Sequence, residues 1–148
     1  MVNRNIVGRI EVIEELLPGE WKVAYDLARD EETVALVQRA TLTTRDFGVV
    51  PDVALFGSND WWMAIRDGRI QKHVVSGTIS RLFMTGHGDW PEFELNSGGA
   101  KSNWTRVGDQ GLYAEGKEAR VEYILQKPRR DVLGRGERKQ VLRVVVKT

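Results

Sequence analysis

Cysteine is absent from the 148 residues, which excludes disulfides and every thiolate metal site and fits a reducing compartment. Histidine is nearly absent. His73 and His87 are the two in the chain, and a zinc site needs three or four converging ligands. The hairpin HGDWPEFE offers His87, Asp89, Glu92 and Glu94, but His87 and Asp89 fall in a turn, so no metal and no cofactor are expected. No apolar run approaches the ~20 residues of a transmembrane helix. The opening MVNRNIVGRIEV lacks a continuous apolar stretch of the kind a secretory signal carries. The expectation is a cytoplasmic protein with no membrane partner. Phosphate-binding glycine loops are missing, and none of the serines sits in a G-x-S-x-G elbow. Nothing therefore marks an enzyme.

Charge of either sign is plentiful, but it is unevenly placed. Residues 1–74 hold 9 Lys/Arg and 12 Asp/Glu, whereas from Lys127 onward there are 8 basic and 2 acidic residues. Lysines and arginines on a terminal hairpin can serve as guards of a sheet edge. They can also form a patch for a polyanion.

The dominant hydrophobic period is two, the mark of half-buried strands. Trp21, Val23, Tyr25 and Leu27 alternate with Lys22, Ala24, Asp26 and Ala28, and Ala119, Val121, Tyr123 and Leu125 with Arg120, Glu122, Ile124 and Gln126. Near the C-terminus Leu142, Val144 and Val146 alternate with Arg143, Val145 and Lys147. Further strands are expected at 6–13, 33–42, 53–56, 61–66, 70–75, 78–84, 92–95 and 103–107. The stretch RDGR at 66–69 reads as a hairpin turn between two of them. The segment 28–40 has acids early and Arg39 late, as a helix would, but its β-branched Thr33, Val34 and Val37 favour a strand. Little helix is expected.

Two stretches resemble each other. GRIEVIEELLPGEW (8–21) and GTISRLFMTGHGDW (77–90) share Gly8/Gly77, Ile10/Ile79, Gly19/Gly88 and Trp21/Trp90 at fixed offsets, and an acid precedes both tryptophans. Each reads as a strand, a glycine turn and a second strand anchored by tryptophan. The repeat predicts an all-β chain in two β-units, 1–76 and 77–148. These form either two tandem small barrels or one pseudo-symmetric barrel or sandwich. The five strands expected after residue 77, with long first and last hairpins, resemble the OB-fold. That resemblance implies a binding face flanked by the loop after its first strand and the loop between its last two.

Those loops carry the candidate site. The 85–90 turn brings His87 and Trp90. The 127–139 loop brings Lys127, Arg129, Arg130, Arg135 and Arg138, whose forks suit phosphate oxygens. Trp90, Phe93 and Trp104 are the aromatics available to stack bases. The leading expectation is a non-catalytic module binding single-stranded nucleic acid or another polyanion. A second reading is a protein-interaction or assembly domain, self-association included. It rests on Trp62, since in a strand Trp61 and Trp62 point to opposite faces and one of them would be exposed. A small-molecule carrier or enzyme is the third.

Overall fold

The computed structural model describes residues 20–51, 53–129 and 136–148. The expected strand at 6–13, the first hairpin of the repeat, and Arg130 and Arg135 lie outside them. Six strands form one mostly antiparallel sheet in the order β1-β6-β5-β2-β3-β4. They are β1 (Trp21–Asp26), β2 (His73–Thr85), β3 (Trp90–Ser97), β4 (Ala100–Thr105), β5 (Glu118–Gln126) and β6 (Arg138–Lys147). The mostly-β character that the alternation predicts therefore holds. β1 and β4 are the two ends of the sheet, and no pairing between them closes it into a barrel among the described residues. The junction of Ser76 and Gly77 falls inside β2.

Two segments expected as strands are helices: α1 (Glu31–Thr43) and α2 (Asn59–Arg66). Local capping outweighs β-propensity in both. Asp30 Oδ1 accepts from the Thr33 backbone N–H at 3.1 Å, and Glu31 and Glu32 complement the positive end of the α1 dipole. Ser58 Oγ accepts from the Trp61 N–H at 3.2 Å, with Asp60 in the first turn of α2 and Arg66 in its last. Within α1, Thr41 Oγ1 donates to the Val37 carbonyl at 2.8 Å and accepts from the Val49 N–H at 3.1 Å. Its β-branched side chain thus ties the helix to the following segment. RDGR is not a hairpin turn. Gly68 ends α2, and its φ of 87° turns the chain so that the Ile70 N–H reaches the Ala64 carbonyl at 3.0 Å. Residues 53–56 form no strand either.

The described chain divides into two compact units. The first takes 27–73 and 123–141, and the second takes 20–26, 74–122 and 142–148. The first is built on Leu27, Phe56, Trp61, Trp62, Ala64, Ile65 and Ile124, all buried. Helical spacing sets Trp61, Ala64 and Ile65 on one side of α2, and Trp62 packs edge-on against Trp61 with ring centroids 4.9 Å apart. The second is built on Ile79, Phe93, Leu95, Trp104, Tyr113, Val121 and Leu142. Each such side chain contributes about 1.5–3 kcal/mol relative to exposure.

In that unit Gly77 approaches β3 so closely that a Cβ would lie 2.3 Å from the Asn96 carbonyl oxygen. This close approach is a physical reason for the glycine that opens the 77–90 stretch. The expected alternation on β6 fails, because Leu142 through Val146 are all buried, as in a strand covered on both faces. Arg143 is among them, opposite Asp26 in the β1–β6 register, and Glu122 is buried on β5.

Candidate functional site

The first unit holds a pocket of about 320 Å³. Its floor is Val49, Trp61 and Ile124, each buried. α2 presents Trp61, and β5 presents Ile124 at its C-terminal end. The segment after α1 supplies Val49 and is fastened to the chain after β5 by backbone bonds. Val49 bridges Pro128, the Val50 N–H donates to the Lys127 carbonyl at 2.9 Å, and the Arg129 N–H donates to the Gly48 carbonyl at 3.1 Å. The floor is stiff, since Trp61 also packs against Phe56 at 4.7 Å. Around the opening stand Val50, Val53 and Leu125, with 38%, 46% and 40% of their surface exposed.

The rim is charged. Arg69, Lys127 and Glu137 line it, with His73, which stacks on Tyr123 at 5.1 Å. Asp67 grips the Arg69 guanidinium through Oδ1 and Oδ2 at 3.0–3.2 Å. This hydrogen bonding holds the Asp67 carboxyl below the usual carboxylate range and raises the Arg69 pKa. Among the described residues no carboxylate pairs with Lys127. The chemistry on offer is recognition: an apolar floor, an apolar lip and a positive edge.

The expected site residues are distributed differently. Lys127 is on the pocket rim and Arg138 is exposed at the start of β6. Arg129 has a structural bond, donating from Nη1 to the Thr44 carbonyl at 2.7 Å. Arg130 and Arg135 fall outside the described residues. His87 and Trp90 belong to the second unit, His87 exposed in the β2–β3 turn. Trp90 is 55% exposed and donates from Nε1 to Thr105 Oγ1 at 3.1 Å.

Three aromatic expectations are corrected. Phe93 and Trp104 are 0% and 5% exposed, so neither offers a face to a base. They are cross-strand partners on the core side of β3 and β4. Trp62 is 2% exposed and cannot be a contact residue, because the segment is helical and both tryptophans turn inward. The hairpin repeat also fails at its tryptophans. Trp21 opens the end strand β1 opposite Lys147, under the Arg120 guanidinium, whereas exposed Trp90 opens β3 opposite Thr85.

Trp90 has instead an open sheet face around it. Thr85, Phe83 and Arg81 on β2 share that face with Trp90, Glu92 and Glu94 on β3. Arg81 lies over the Phe83 ring at 4.1 Å, and Glu94 sits 3.9 Å from Arg81 and 3.8 Å from Lys101. The pocket floor is not legible in the sequence, because its parts come from residues 49, 61 and 124. The one signal for it was the basic run beginning at Lys127.

The profile of one protein family, described as Immunity protein RhsI2, matches residues 21–147, and the chain belongs to that family. No curated protein matches the chain. Membership of a family of immunity proteins overturns the nucleic-acid reading and favours the protein-interaction alternative, in agreement with the burial of Phe93 and Trp104.

Proposed function

We propose that the chain, as a member of the immunity protein RhsI2 family, is a toxin-neutralising protein that acts by binding its cognate Rhs toxin, with no reaction of its own. The observation that carries this is the family match across 21–147, which takes in both compact units. The surface supports it. Exposed apolar side chains stand on ordered elements beside charges of both signs, around the pocket and again at Trp90, near Arg81 and half-buried Phe83. Aromatic and arginine residues with charged neighbours are the composition of protein contact surfaces.

The test is reconstitution. The chain and the separately purified Rhs toxin domain are mixed and run on a sizing column with light scattering, and the two are co-expressed in a sensitive host. A stable complex and restored growth are expected. Absence of a complex at micromolar concentrations, with no rescue of growth, refutes the proposal.

A further inference from the structure

We infer that the pocket of the first unit seats an apolar side chain of the toxin that is flanked there by acidic residues. This rests on the proposed function and names the place and the chemistry of the contact. Three observations carry it.

The first is shape. At about 320 Å³ the cavity lies at the small end of ligand pockets, suited to one large side chain such as Leu, Met or Phe. Its floor is already formed: Trp61 is wedged against Phe56 and Trp62, and the 48–50 wall is bonded to the 127–129 wall. A side chain entering it meets a surface that needs no ordering, the condition under which an anchor contributes most.

The second is the lip. Val50, Val53 and Leu125 are each more than a third exposed, and all three face one opening. Single exposed aliphatics are ordinary, but several around a preformed hollow mark a contact. They would surround the anchor and exclude water from it.

The third is charge, which names the neighbours of the anchor. Arg69 and Lys127 stand at the rim against one acid, Glu137. Arg69 is largely neutralised by Asp67, and among the described residues Lys127 at the opening has no carboxylate partner; exposed Arg129, Arg138 and Lys139 lie close by in sequence within the same unit. The complementary segment has Asp or Glu beside its apolar residue. The basic run beginning at Lys127 thus finds a role against carboxylates of a protein.

The experiment is biolayer interferometry of the full chain and its variants against the immobilised Rhs toxin domain at several salt concentrations. Val53→Asp and Leu125→Asp each put a carboxylate on the exposed lip and are expected to weaken binding at least ~30-fold. Circular dichroism and melting temperature verify that both stay folded. Lys127→Glu is expected to slow association about tenfold at low salt and to flatten its salt dependence. Lys22→Ala, exposed on β1 in the other unit, is expected to stay within about twofold. If the wild type binds and both Asp variants bind within threefold of it, the pocket is not the seat and the family-based function stands. If the wild type itself fails to bind, the function falls and the pocket assignment falls with it.

Discussion

Two residues three positions apart show how much position decides. Trp90 and Phe93 are both aromatics of β3, yet Phe93 is fully buried beside Tyr113, with ring centroids 5.0 Å apart, and Trp90 is more than half exposed. Phe93→Ala should cost about 3–5 kcal/mol in urea unfolding, from lost transfer energy and the cavity left behind. Trp90→Ala should cost under about 1 kcal/mol by the same measurement, because Trp90 is more than half exposed and its indole makes a surface hydrogen bond to Thr105. Gly108 is a sharper case. Its φ is 75°, and a Cβ there would lie 1.9 Å from the Ala24 carbonyl oxygen, which also accepts from the Asp109 N–H at 2.9 Å. Gly108→Ala therefore meets left-handed strain and a backbone clash together, and a loss of about 2 kcal/mol or more is expected in chemical denaturation. An unchanged midpoint would mean that the 107–109 turn can move away from β1.

The same lesson holds for whole elements. α2 has eight residues, a length at which an isolated helix is marginal, so its cap matters. Ser58→Ala should destabilise the protein by about 1 kcal/mol, read as a shift of the thermal midpoint. Ser58→Asp should retain most of the stability. The strands β1, β5 and β6 were legible in the sequence because in each a run of apolar residues recurs every second position over at least six residues, even though on β6 both faces prove to be buried. What alternation could not show was which strands are covered twice. Arg143 and Glu122 look solvent-facing by period and are buried. The helices were misread because Val34, Val37 and Trp61–Trp62 were weighed for propensity, while Asp30 and Ser58, one side chain each, fix where the helices begin. The pocket was illegible for another reason. Val49, Trp61 and Ile124 are far apart in the chain, and only folding makes them neighbours.

For the molecule as a whole, pH gives a handle on stability. Burial first, and the nearby Asp109 charge second, push the Tyr113 phenol well above the usual tyrosine value, and its hydroxyl donates to the Val107 carbonyl at 2.8 Å. The folded state therefore holds this proton more tightly than the unfolded chain does. Its contribution is complete below the ordinary tyrosine pKa of about 10 and is lost as pH rises from there through the folded value. Urea midpoints of the wild type should fall above about pH 10 more steeply than those of Tyr113→Phe. Parallel curves would show that the phenol is not protected.

The sheet order has a consequence of another kind, in time. β1 is synthesised first among the described strands, and β6, its one neighbour in the sheet, is synthesised last. The Thr148 N–H and the Glu20 carbonyl that it meets are 128 residues apart. Contacts this distant in sequence form late and slowly. While β6 is still inside the ribosome, β1 lacks the strand it pairs with among the described residues, and the Glu137 edge of the pocket has not been made. A half-built chain on the ribosome therefore lacks the completed pocket. Under the proposed function, the toxin would be met by finished copies and not by chains still being made.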